Sequence, residues 1–88
     1  MLKKSLLINP ADTVVVLLEN ARKGDIIDIG GKTVALLEDV EFAHKVAHID
    51  HPKMSPVVKY GEEIGYLPDG APAGAWIHSH NMKCDRGR

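Results

Sequence analysis

The sequence predicts one small, mostly β domain, barrel-like or clip-like, of about seven short strands. Three observations carry this. The apolar stretches are short and rich in β-branched residues, from Val14-Val15-Val16 to Val57-Val58. Turn residues punctuate them, with eight Gly and five Pro in 88 residues. No stretch holds a sustained helical apolar period.

Taken in order, Lys4 to Ile8 reads as a first strand, ended by Asn9-Pro10 because proline removes a donor and fixes φ. Val14 to Leu18 is apolar throughout, which suits a strand buried on both faces. Glu19 to Asp25 is a polar turn with Gly24 as its left-handed position. Ile26 to Ile29 and Lys32 to Leu37 flank Gly30-Gly31, a hairpin signal. Glu38 to Glu41 is a turn or short bridging helix. Val46 to Ile49 is the next strand, and His51 to Pro56 is a loop with two prolines. Val57 to Tyr60 is extended, Gly61 breaks it, and Glu62 to Leu67 leads into the turn Pro68-Asp69-Gly70. Ala71 to Gly74 prolongs that loop, and Ala75 to His78 is the last strand. Residues 83–88 read as a loose tail of a single domain spanning 1–88.

Composition excludes several function classes. A formal charge of −1 and four aromatic side chains (one Phe, one Trp, two Tyr) leave no basic, aromatic face for nucleic acid. The longest apolar run, Val14 to Leu18, is far short of the roughly 20 residues that span a bilayer. Neither nucleic acid nor membrane is an expected partner. The one cysteine, Cys84, has no internal partner, reads as an incidental thiol and suits a reducing cytoplasm. A chain this short buries a modest core, so association is useful to it; a homo-oligomer is expected in isolation, with contacts around Trp76 and the strand edges.

Five histidines stand out: His44, His48, His51, His78 and His80. In His78-Ser79-His80, residues i and i+2 of a strand face one side, so both imidazoles can address one metal or one anion. The plain alternative is an edge strand whose histidines bond to water. Two imidazoles are too few for a closed zinc site. Asn81 adds an amide able to reach a carboxylate or hydroxyl. His44-Lys45 pairs a directional donor with a compact charge suited to a carboxylate. Lys59-Tyr60 is followed by Gly61, which permits close backbone approach. His48 and His51 around Asp50 read as exposed loop residues, with a metal cluster as the alternative. Trp76 reads as core or interface rather than a stacking platform.

Three segments in order carry a resemblance: Phe42-Ala43-His44-Lys45-Val46-Ala47, then Val57-Val58-Lys59-Tyr60-Gly61-Glu62-Glu63-Ile64-Gly65, then Ala73-Gly74-Ala75-Trp76-Ile77-His78-Ser79-His80-Asn81. Together they resemble the SAF-type β-clip domain of the altronate and galactarate dehydratases, over about Asp12 to Lys83. Ala43 stands where the pattern has glycine, and His48, His51 and the loop Pro52 to Pro56 lie outside it.

The resemblance implies a small β-clip fold and a lyase reaction, eliminating water or sulfite from a sugar acid or hydroxy acid. It carries His78 and His80 as catalytic and metal-binding candidates. His44, Lys45, Lys59, Tyr60 and Asn81 follow as substrate-binding candidates, all expected to converge on one pocket. A divalent metal (iron, manganese or magnesium) is implied, held mainly by a large dehydratase-like partner subunit. At this length the chain resembles a free-standing small subunit, as in sulfolactate sulfo-lyase, inactive alone. The alternative is a non-catalytic SAF module that binds a carbohydrate or anion.

Overall fold

The computed structural model describes residues 1–84. The described residues form no α-helix and nine short strands: β1 Leu2–Lys3, β2 Ser5–Leu6, β3 Val14–Leu17, β4 Ile26–Ile29, β5 Lys32–Ala35, β6 Lys45–Ala47, β7 Ser55–Lys59, β8 Glu62–Leu67 and β9 Trp76–Ile77. They make three sheets, ordered β1-β4-β5, β2-β3-β6-β9 and β7-β8. Only β1 with β4 is parallel; every other ladder is antiparallel. The predicted small, mostly β domain is what forms.

The middle of the four-stranded sheet is the structural centre. Val15, Leu17 and Val46 pack into one buried cluster with Ile27, Val34, Leu36 and Val40. Val14, Ala47 and Ile77 pack into a second with Val57, Leu67 and Ala75. Alternation along β3 thus sends side chains into both clusters, which is why its sequence is apolar throughout. Each large aliphatic side chain buried this way contributes about 1.5–3 kcal/mol.

Two hairpins turn on left-handed pairs. Gly30 (φ 62°) and Gly31 (φ 94°) close β4 to β5, where Ile29 pairs with Lys32. Tyr60 (φ 60°) and Gly61 (φ 73°) close β7 to β8, where Lys59 pairs with Glu62. Both have the positive φ of the primed turns that match strand twist.

Several boundaries differ from the sequence reading, each for a visible reason. Lys4 to Ile8 is not one strand. Lys4 N–H donates to the Glu19 carboxylate at 2.7 Å, so Leu2–Lys3 joins the first sheet and Ser5–Leu6 the second. The strand expected over Val46 to Ile49 begins at Lys45 and stops at Ala47; His48 N–H still donates to the Thr13 carbonyl at 3.2 Å, in register with the ladder, and the chain bends away there. Pro56 lies inside β7 rather than in a loop; in a two-stranded sheet its missing donor faces no neighbour strand. The expected tail does not begin at 83: Lys83 and Tyr66 exchange backbone hydrogen bonds at 2.8 and 2.9 Å. Residues 85–88 lie outside the described residues.

Candidate functional site

The site grows from the turn before β6. Glu41 accepts the His44 N–H at 3.2 Å, and Leu17 accepts the Ala43 N–H at 2.9 Å. Ala43 holds φ 72°, the left-handed region that a Cβ disfavours by about 1–2 kcal/mol. The bend expected of a glycine is therefore present, under strain. It delivers His44 to the head of β6, with His44 Nδ1 3.2 Å from the Phe42 carbonyl.

Across β6 lies β9, with Trp76 opposite Val46 and Ile77 opposite Lys45. Facing residues project to the same side of the sheet. Trp76 therefore packs on the first core cluster with Val46, while Lys45 shares the second cluster's side with Ile77. Three imidazoles surround the indole. His78 stacks on it with centroids 5.3 Å apart and planes 12° from parallel. His80 lies at 4.8 Å, tilted 40°. His44 meets the indole edge-on at 5.6 Å and His78 at 5.5 Å. Trp76 is both a core residue and the stacking platform that the sequence reading set aside. Its indole N–H is buried without a partner.

The outer edge of β9 is closed by side chains. Trp76 N–H donates to Glu38 Oε2 at 3.1 Å, and the Trp76 carbonyl accepts from Asn81 Nδ2 at 2.9 Å. Asn81 Oδ1 in turn accepts the His78 N–H at 3.0 Å. The strand edge expected to seek a partner chain is thus already capped at Trp76. Asn81 folds the chain back after Ile77, so His78 and His80 sit on a turn and not on the strand that the same-side argument assumed. Both ends of the Asn81 amide serve this loop rather than pointing at a hydroxyl.

On the other side, Lys45 is half-buried. Burial first, then the Lys59 ammonium, push its amine below the usual lysine range. Lys59 Nζ lies 4.9 Å over the Tyr60 ring. Tyr60 is 60 % exposed. The turn beneath it is held by Asp12, only 3 % exposed. That carboxylate accepts N–H groups of Gly61 at 2.7 Å and of Tyr60 and Asn9, each at 3.1 Å.

His44, His78 and His80 are thus brought together, with Lys45 one ladder position from His78 and Lys59 within its electrostatic range. The single pocket expected for all of these residues is not what forms: neighbouring ladder positions project to opposite sides, so the imidazoles gather with Trp76 on one face of the sheet end and the lysines with Tyr60 on the other. Among the described residues, no three His, Cys, Asp or Glu side chains gather as a metal-holding group. His78 and His80 pack on an indole, which does not supply the oxygen-rich set that magnesium or manganese takes. His48 and His51 are not exposed loop residues: His48 is half-buried with Nε2 2.6 Å from the Asp12 carbonyl, and His51 is buried. Cys84 is exposed and free. The sequence reading missed Asp12 and Glu38. Each is an acid in a turn-like stretch, and nothing local separates a carboxylate that will accept distant amides from one left in water.

The structure is a small all-β domain that presents a ring cluster and a lysine pair at one sheet end, an architecture that by itself assigns no activity. The chain belongs to the altronate/galactarate dehydratase SAF domain family, whose pattern matches residues 3–85. It is similar to an altronate dehydratase of Escherichia coli (strain K12), 37% identical over 76 residues, which cover 86% of this chain and 15% of that one. An altronate dehydratase of Bacillus subtilis (strain 168) is 29% identical over 82 residues, 93% of this chain and 16% of the other. The (2R)-sulfolactate sulfo-lyase subunit alpha of Paracoccus pantotrophus is 38% identical over 48 residues, 54% of this chain and 72% of that subunit. The chain therefore spans about a sixth of the length of these altronate dehydratases.

Proposed function

We propose that this chain is the substrate-binding part of a sugar-acid or hydroxy-acid lyase of the altronate/galactarate dehydratase type, completing a site on a large dehydratase-like subunit. The observation that carries the reading is the convergence of His44, His78 and His80 on Trp76, with Lys45 on the opposite face of the same sheet end. An elimination next to a carboxylate needs a held anion, a base for the α-proton and an acid for the leaving group. A lysine ammonium holds a carboxylate, and an imidazole can accept or return a proton near neutral pH. His78 and His80 are the proton-handling candidates in this reading. His44, Lys45, Lys59 and Tyr60 bind substrate, and Asn81 acts through the loop that it ties. In this reading a divalent metal (iron, manganese or magnesium) is held mainly by the larger chain. The reading places the protein in the cytoplasm.

The test is reconstitution. The purified chain alone is expected to show no turnover of sugar acids or sulfolactate, and mixing with a large dehydratase-like subunit is expected to produce it. In that complex His78→Ala or Lys45→Ala weakens substrate binding about ten- to a hundred-fold, the worth of one charge-assisted hydrogen bond. Robust turnover by the chain alone would overturn the reading. Sugar-acid binding with no partner-dependent turnover would identify a non-catalytic binding module instead.

A further inference from the structure

The loop of residues 68–75 leads into β9, and the segment His48–His51 grips it. His51 and Ala71 exchange both backbone hydrogen bonds, at 2.7 and 2.9 Å. Ala73 N–H donates to Asp50 Oδ1 at 2.9 Å, and Gly74 N–H donates to the Ala47 carbonyl at 2.7 Å. Gly70 is packed so closely that a Cβ there would overlap the His51 carbonyl oxygen. Two residues past Gly74 comes Trp76, the centre of the ring cluster.

His51, whose backbone makes this grip, is 5 % exposed. Its Nδ1 is 2.9 Å from the Ile49 carbonyl. A carbonyl only accepts, so Nδ1 carries the proton and Nε2 is a bare lone pair. That Nε2 is buried with no partner. His48 repeats the arrangement, with Nε2 against the Asp12 carbonyl and Nδ1 buried and unpartnered. A second proton on His51 would place a charge and an unmet donor in a buried site.

We infer that His51 is a positioning residue for the ring cluster: its buried neutral imidazole holds the His48–His51 segment in the conformation whose backbone grips residues 68–75, and protonation releases that loop and with it the chain that leads into Trp76. Burial pushes the ring's pKa below the ordinary value. The Ile49 carbonyl opposes that shift, His48 adds to it, and Asp50 opposes it. Besides His48 and Asp50, the charged groups around the grip are Lys32, whose ammonium donates to the His48 carbonyl at 2.7 Å, Lys53 on the same loop, and Asp69 beside Gly70. The locked loop binds fewer protons than the released one. The lock is whole above the ordinary histidine pKa of about 6.5 and weakens as pH falls below it. One proton sets the limit, at most about tenfold in loop opening per pH unit.

The inference holds whatever the site binds, and amide hydrogen exchange of the full chain between pH 5 and 7.5 tests it. After correction for intrinsic rates, protection of the Ala71, Ala73 and Gly74 amides is expected to fall below pH 6.5 while the β3–β6 amides keep theirs. In His51→Asn, whose side-chain amide can still donate to the Ile49 carbonyl, loop protection is expected to lose its pH dependence. Unchanged loop protection in the parent chain, an equal loss across β3–β6, or a pH dependence that persists in His51→Asn overturns the inference. If His51→Asn does not fold, NMR titration of the His51 ring in the parent chain decides: a pKa at or above the ordinary histidine value overturns it.

Discussion

Asn81→Ala isolates what holds the imidazoles in place. The side chain makes two hydrogen bonds, from His78 N–H at 3.0 Å and to the Trp76 carbonyl at 2.9 Å. Each is worth about 1 kcal/mol net, and His78 is exposed, so water can replace part of what is lost. The expected cost is about 1–2 kcal/mol. For a domain of this size that lowers Tm by roughly 4–16 °C. Trp76 is the only tryptophan, so its fluorescence and near-ultraviolet circular dichroism report on the cluster directly. Both are expected to change at 25 °C, below the melt, as the His78–His80 turn loosens. Asn81→Asp keeps the acceptor and loses the donor, so it should fall between parent and Ala. An Asn81→Ala protein that melts within about 2 °C of the parent, with the Trp76 signals unchanged, would show that the side chain is not the tie. A direct role with ligand would then reopen.

Other substitutions probe the scaffold around the site. Ala43→Gly should stabilise the fold by about 0.5–1 kcal/mol, because it relieves φ 72° at some entropic cost in the unfolded chain; urea melts that show a loss would refute the strain. Gly74→Ala should destabilise by roughly 2–4 kcal/mol, since the residue sits at φ 95° and a Cβ would overlap the Ala35 carbonyl oxygen; a parent-like melt would refute that packing. Lys59→Gln should raise the Lys45 pKa part of the way back, because burial remains when the neighbouring ammonium is gone. An NMR titration of the Lys45 side chain reads this, and no upward movement would mean that burial alone acts.

The sequence by itself determined the class of fold and the identity of the clusters. Short β-branched runs cut by Gly, Pro and Asn allow little but a small β domain, because period-2 burial and turn chemistry are local properties. Gly30-Gly31 made its hairpin for that reason. The segments around His44, Lys59 and His78 were legible as candidates because each concentrates polar chemistry beside an apolar strand. What joined them was not local. Trp76 became the platform for three imidazoles only because β9 pairs with β6 and sets it opposite Val46, beside the His44 turn. The strand rule failed at His78 because Asn81 bends the chain one residue before the end of the strand predicted over Ala75 to His78. Asp12 and Glu38 accept amides 48 and 38 residues away, at Tyr60 and Trp76. His51 looks like a loop histidine until the turn at Gly70 covers it. In each case the deciding partner is distant in sequence, and side-chain spacing carries no record of a contact that forms only when the sheets close.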